Sequence, residues 1–444
     1  MRLKFTSSKP RHPYDEDPAT VRSAGNSRMK SVNAKLASNI SAKTIISSIR
    51  RRDVVHRLDI GNSHLGDEGC VQLFNYLSSK AGQECRDNVT ELYLTKNDIG
   101  AKGLLAVAKF LHGNEVIREL CLSGNPLTTD RDIITKFAAA LNTSRLCTLQ
   151  LIHSGTLSDS FICAFLPMLT TPYLRHLDLS AIGMTRAAVP AIVDYVSSPR
   201  CRLERLQCNA NSLTLPGARS IIDAIDTSNY SLWKANLDDL HSDESDGNGD
   251  RRMLAWQDGW RILNGASRRN LQAKLQTRDD ALAFLRYSRA LFLRSGSGRR
   301  ASAKPRLAGI SPFFDLPTEL QQEIFGFVAP GLSHRQRMSI VAFAVDKHTL
   351  PRLRKGLVAV QRRTRFARLC TRVTGSSFVE GPPFEGSWRP CSWWECECTG
   401  EARRECRALR RWRREMRDLW LTQVGCDVWD PGFMADGYRR TESM

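Results

Sequence analysis

The amino-acid sequence predicts an α/β solenoid followed by a mainly helical C-terminal region. Three observations carry that expectation. A short strand motif recurs at a near-constant interval through the first half of the chain, and an amphipathic helical pattern follows the copies. An acidic break then ends the series before helical patterning resumes.

Six segments fit or approximate the pattern LxxLxLxxNxL: VHRLDIGNSHL (55–65), VTELYLTKNDI (89–99), IRELCLSGNPL (117–127), LCTLQLIHSGT (146–156), LRHLDLSAIGM (174–184) and LERLQCNANSL (203–213). Their central Leu58, Leu92, Leu120, Leu149, Leu177 and Leu206 stand 34, 28, 29, 28 and 29 residues apart. An insertion, SSKAGQECRD (78–87), explains the long first interval, and LWKANLDDL (232–240) is a weaker seventh copy centred on Ala235. Alternate residues of a strand face opposite sides, so the two leucines of LxL enter one core together. Asn97, Asn125 and Asn211 stand where an amide side chain can satisfy the backbone of a turn. In AKGLLAVAKFLHG (101–113), Leu104, Val107, Ala108 and Leu111 share one helical face. One such unit cannot bury its apolar face alone, so neighbours must stack.

The period and turns such as NDIGAKGLLAVAKFL resemble ribonuclease-inhibitor-type leucine-rich repeats over about residues 41–240, with SAKTIISSI (41–49) as an N-terminal capping helix. That resemblance implies a horseshoe with parallel strands on the concave face, helices outside, and a macromolecular binding role. The outward strand positions would then line the concave face. One row is Arg57, Glu91, Glu119, Thr148, His176 and Arg205; the next is Asp59, Tyr93, Cys121, Gln150, Asp178 and Gln207. Arg57, Asp59, Glu91, Tyr93, Glu119, Gln150, His176, Asp178, Arg205 and Gln207 are the candidate protein-contact residues, since aromatic and Arg side chains tend to anchor interfaces.

Bulk composition limits the alternatives. The 444 residues are 41% hydrophobic, enough for two or three domains. No run of about 18 apolar residues predicts a membrane span. The N-terminus lacks the apolar stretch of roughly 7–15 residues of a secretory signal. A cytoplasmic or nuclear protein is therefore expected. The 13 cysteines fit that setting, and several fall on or beside apolar repeat positions, where a thiol packs as a small hydrophobe. The net charge of +19 is uneven: +9 over residues 1–52, −7 over 53–250 and +17 over 251–444. The basic C-terminal region can attract nucleic acid without sequence specificity, although no nucleic-acid-reading module accompanies it.

Residues 1–40 are expected to be a basic disordered segment, and DDLHSDESDGNGD (238–250) an acidic loop. A helical cap follows over 251–293, with Leu271, Leu275, Leu282, Leu285 and Leu291 as its apolar stripe; residues 294–310 form a flexible basic linker. Pro317 opens a helix that Pro330-Gly331 stops, and Ser333 with Gln336 makes a capping-box pattern for a second helix. LPTELQQEIFGFV resembles the start of an F-box through Leu316, Pro317, Glu319, Leu320, Ile324 and Phe325, within a helical segment over 311–375. In that family the module docks on the adaptor subunit of an SCF ubiquitin ligase, which makes Leu316, Pro317, Leu320, Ile324 and Phe325 the docking residues. Here the motif follows the repeats instead of preceding them, and VAFAVDKHTLPRL replaces the family's later Cys/Trp-containing helix. The whole succession is similar to uncharacterised fungal proteins that join such repeats to an F-box-like helix and a Cys/Trp-rich end.

The 376–444 segment is rich in Cys, Trp and Arg. Cys391, Cys396, Cys398 and Cys406 have the spacing C-x4-C-x-C-x7-C, unlike the C-x2-C pairs of structural zinc sites, and no His lies beyond position 348. Thiols packed beside Trp388, Trp393, Trp394 and Trp412 are the reading, with no metal and no cofactor. No phosphate-binding loop, dinucleotide turn, GxSxG or HExxH motif occurs, so no enzyme is expected. The activators of the GTPase Ran carry similar repeats with an Arg in an early loop and a long acidic tail. Here the early loops offer Lys96 and no Arg, and the acidic segment is short and internal. The expected function is a non-enzymatic protein-interaction scaffold. An SCF substrate adaptor and a Ran-type GTPase activator are the alternatives.

Overall fold

A computed structural model describes residues 28–30, 38–51, 55–237, 249–294, 313, 316–346, 349, 414 and 416–430. The chain divides into two compact units, Met1–Ala224 with Lys234–Gly259, and Ile225–Trp233 with Trp260–Met444.

The first unit is built on one parallel sheet of eight short strands in sequence order: β1 (Arg28–Lys30), β2 (Arg57–Asp59), β3 (Glu91–Tyr93), β4 (Glu119–Cys121), β5 (Thr148–Gln150), β6 (His176–Asp178), β7 (Arg205–Gln207) and β8 (Lys234–Asn236). Parallel neighbours need a crossover, and helices supply it. These are α1 (Ser38–Arg50), α2 (Gly66–Ser78), α3 (Gln83–Arg86), α4 (Ala101–Leu111), α5 (Arg131–Thr143), α6 (Ser158–Met168), α7 (Val189–Ser197) and α8 (Leu215–Ser228). The short α3 lies inside the 78–87 insertion.

Register aligns Leu58, Leu92, Leu120, Leu149, Leu177, Leu206 and Ala235 in one row. Those six leucines are buried, and so is the second member of each pair: Ile60, Leu94, Leu122, Leu151, Leu179 and Cys208. The helices close the core with large rings. Phe74 meets Phe110 at 5.1 Å between centroids, and Phe165 lies 4.9 Å from Phe161 and 6.1 Å from Phe137. Leu104, Val107, Ala108 and Leu111 of α4 all face inward, as the helical periodicity predicts.

The turns hold neighbouring repeats together. Asn125 donates to the carbonyls of Leu94 (2.9 Å) and Leu122 (2.7 Å) and accepts from the Asn97 (2.8 Å) and Ile99 (3.2 Å) N–H groups. Asn97 and Asn211 make equivalent bonds to Ile60 and Leu179 of the preceding repeats. One residue before each Asn position the backbone is left-handed: Asn62, Lys96, Gly124, His153, Ala181 and Ala210 have φ between 51° and 69°. Only one of these six is glycine, so the usual residue signal for such a turn is missing. Asp67 reaches forward to the next repeat, accepting from the Gly100 (2.7 Å), Lys102 (3.2 Å) and Gly103 (2.8 Å) N–H groups at the start of α4. Acidic groups suit a helix N-terminus because its first N–H groups lack intrahelical partners.

Two expectations are corrected here. Disorder across residues 1–40 fails at Arg28–Lys30, which pairs in parallel with β2, and at Ser38, where α1 begins. Met29 stands 29 residues before Leu58 and opposite it in register, so β1 and α1 repeat the strand–helix unit without the LxL signature. The backbone bonds of a parallel edge do not require leucine, so sequence pattern alone missed this strand.

The second correction concerns α9 (Gly249–Arg294). Leu271 and Leu275 of the expected stripe are exposed, and Leu282, Leu285 and Leu291 are half-buried. The buried row is instead Leu263, Ala266, Asn270, Thr277, Ala281, Phe284 and Ser288. Polar members disguised it. Asn270 donates to the Asn229 (2.9 Å) and Leu232 (2.8 Å) carbonyls, which a leucine could not satisfy.

In the second unit, α10 (Thr318–Val328), α11 (His334–Val345) and a helical segment over 416–423 gather with α9 around Phe284, Ala329, Leu332, Ile340, Leu421 and Val424. The Ser333–Gln336 capping box forms at the start of α11. Gln336 also donates to the Gly425 (2.8 Å) and Val428 (3.0 Å) carbonyls, and Ser333 donates to Asp430 (2.8 Å). One helix cap thereby anchors the end of the described chain. Among the described residues no helix is long and apolar enough to cross a membrane.

Candidate functional site

The strand face opposite the buried leucines is the candidate site. Register places Arg57, Glu91, Glu119, Thr148, His176, Arg205 and Lys234 in one line. Asp59, Tyr93, Cys121, Gln150, Asp178, Gln207 and Asn236 form the second. Strand alternation dictates both lines once the leucines are inside. All ten candidates stand on this one face of the sheet, but the Glu91 and Asp178 side chains are buried in it. Lys234 and Asn236 extend it beyond the residues singled out from sequence. The 29-residue step from Arg205 and Gln207 was the signal that could have found them.

The side chains are already organised at the β2–β4 end. The Arg57 guanidinium lies 4.0 Å from the centre of the Tyr93 ring and pairs with Glu91 at 3.4 Å and Asp59 at 3.6 Å. The Tyr93 hydroxyl donates to the Glu119 carboxylate at 2.5 Å. Burial first, and then this hydrogen bond, push the Tyr93 phenol above its usual value, so it remains a donor at neutral pH. In the middle, Thr148 and His176 meet at 3.3 Å. Asp178 is turned aside by the Ser180 N–H (3.1 Å) and hydroxyl (2.7 Å). Cys121 is buried and sits 3.2 Å from the hydroxyls of both Thr95 and Ser123.

The family model described as Leucine Rich repeat matches residues 88–108, which hold β3, the Asn97 turn and most of α4. The array is a leucine-rich-repeat solenoid. No curated protein matches the chain. A leucine-rich-repeat array supports a protein-interaction role in general terms, because its strands offer a broad, shaped surface.

The F-box-like residues divide between two environments. On α10, Leu320 and Ile324 are 45% and 38% exposed, and Phe327 beside them is 80% exposed. Phe325 instead packs inward, 5.1 Å from Phe284 and 5.0 Å from Phe313 between ring centroids. Leu316 is half-buried and Pro317 is exposed at the helix start. The structure thus brings Leu320 and Ile324 to one surface and removes Phe325 from it.

Among the described residues, no group of three or more His, Cys, Asp or Glu could hold a metal ion. Cys391, Cys396, Cys398 and Cys406 lie outside the described residues, as do the acidic stretch 238–248 and the linker 295–310. Among the described thiols, burial is the main force on Cys70 and Cys208, and it pushes both above their usual value. Neither has the environment of a reactive thiolate.

Proposed function

We propose that this protein is a non-enzymatic interaction scaffold that binds a protein partner on the concave strand face. The carrying observation is the parallel register, which gathers Arg57, Tyr93, Glu119, Gln150, His176 and Arg205 on one surface. Arg57 and Tyr93 supply the aromatic–cation pair that interfaces favour, and it is held in place before a partner arrives. The test is site-specific photocross-linking in the full-length chain. A photoreactive residue at Gln150 should capture a discrete partner that excess unmodified protein displaces. The same residue at the exposed Lys109 of α4 should not. Equal capture from both positions refutes concave-face binding.

A second reading has its own observation. The exposed Leu320, Ile324 and Phe327 of α10 give the F-box-like segment an apolar face of the kind an adaptor helix pair can cover. In this reading the repeats hold a substrate while α10 docks on the SCF adaptor subunit. Binding of that purified subunit, lost in Leu320→Asp and Ile324→Asp, is the expected result. No binding by the wild-type chain removes the reading.

A further inference from the structure

Helix α10 has one face that nothing among the described residues covers. Leu320, Glu323, Ile324 and Phe327 stand at i, i+3, i+4 and i+7, so they share one side of the helix, and all four are exposed. Such a stripe is how a helix commonly meets a partner segment. Glu319 and Glu323 lie along it, and neither makes an ion pair or side-chain hydrogen bond among the described residues. Glu319 suits the first turn, where unpaired N–H groups favour an acid; Glu323, in mid-helix, has no such role. The described residues stop beside this helix. Asp430 is the last of them, and the Ser333 hydroxyl donates to its carboxylate at 2.8 Å. Ser333 caps α11 directly after the tight turn that ends α10, in which the Ala329 N–H donates to Phe325 and the Leu332 N–H to Ala329, both at 3.2 Å. Gln336 fixes the approach through the Gly425 and Val428 carbonyls. Asp430 is thereby held next to the C-terminal end of α10, the end that carries Phe327.

Residues 431–444, PGFMADGYRRTESM, lie outside the described residues, and their chemistry matches the face in order. Phe433 and Met434 come first, then Tyr438, then Arg439 and Arg440. On α10, counted from the end next to Asp430, Phe327 comes first, then Ile324 and Leu320, with Glu323 and Glu319 toward the far end. We infer that this C-terminal segment docks in cis on the outer face of α10, antiparallel to the helix. Phe433 and Met434 then cover Phe327 and Ile324, and Arg439 and Arg440 meet Glu319 and Glu323. The reach is sufficient. Phe327 to Glu319 spans about 12 Å at ~1.5 Å per helical residue, and Phe433 to Arg439 spans up to about 20 Å at ~3.3 Å per extended residue. The tether also holds the segment at high effective concentration, so modest attraction is enough. The inference stands apart from both functional readings. It names what meets α10 in the free chain, and any partner for that face must displace the segment.

The test is photocross-linking in the full-length chain, read by peptide mass mapping. A photoreactive phenylalanine derivative in place of Phe327 should join peptides from 431–444. The same group in place of the exposed Gln322, about 140° round the helix from Phe327 at ~100° per residue, should not. Mixing chains of ordinary and heavy-isotope composition separates links within one chain from links between copies. At low salt, Arg439→Glu with Arg440→Glu should lower the yield about threefold, and adding Glu319→Lys with Glu323→Lys should restore it. That charge exchange distinguishes a direct contact from general damage to the fold. Phe433→Ser with Met434→Ser leaves every charge in place and should lower the yield at all salt concentrations. Equal linking of 431–444 from both positions, links to another segment, links only between copies, no link, or a yield unmoved by the charge changes overturns the inference.

Discussion

Asn125 serves two repeats at once, and its worth follows from what its loss leaves behind. Replacing it with Ala strands two buried carbonyls and two N–H groups. Each unmet buried group costs about 1–3 kcal/mol, so with four of them Asn125→Ala should lower unfolding stability by about 4 kcal/mol or more in urea titrations. The left-handed alanines point the other way. Ala181 and Ala210 hold φ of 53°, a conformation that disfavours a Cβ. Ala210→Gly should raise stability by about 0.5–1 kcal/mol in the same measurement, and a loss would show that the turn is not strained. Thiols separate by burial. Alkylation of the native chain followed by peptide mass mapping should label the exposed Cys163 and spare Cys70, Cys121 and Cys208. Burial also raises Cys85 from 9.0 to about 11 and Cys426 to about 12. The folded state therefore resists ionisation that the unfolded chain undergoes near pH 9. These two sites leave stability unchanged below that pH and reduce it as pH climbs from 9 toward 11 and beyond. A melting series from pH 8 to 11 should fall more steeply for wild type than for Cys85→Ala.

At the scale of elements, α10 presents an inner and an outer face with different costs. Phe325 lies against Phe284 and Phe313, so Phe325→Ala should destabilise the second unit by about 2–3 kcal/mol. Leu320→Ser on the outer face should change stability by less than about 0.5 kcal/mol. Reversed results, followed by the protection of α10 amides in hydrogen exchange, would mean that the outer face is the packed one. The start of α4 depends on a neighbour in the same way. Asp67→Ala removes three acceptor contacts at the helix N-terminus and should cost about 1–2 kcal/mol, with faster exchange at Gly100, Lys102 and Gly103.

At the scale of the whole molecule, a solenoid is a chain of nearest-neighbour interfaces. Damage should therefore stay local. Asn211→Ala should speed exchange around the Leu179 and Cys208 turns and leave the Asn97 turn protected. Uniform acceleration through all eight strands would show instead that the array opens as one cooperative body. Charge is also partitioned along the chain: residues 53–250 carry −7 and residues 251–444 carry +17.

The repeat period determined the strands, their parallel order, the buried leucine rows and the two outward rows. Each of these follows from a two-residue alternation copied every 28 or 29 residues. The turn asparagines were legible for the same reason. Tertiary structure decided what pattern could not carry. Met29 joins the sheet through backbone bonds that no side-chain motif announces. Asn270, Thr277 and Ser288 occupy the buried row of α9, where hydropathy points to leucines, because a buried amide is satisfied only once Asn229 and Leu232 offer their carbonyls. Phe325 and Ile324 are adjacent and equally apolar in sequence. One enters the core and the other stays outside, since a helix turns about 100° per residue and only packing selects the face.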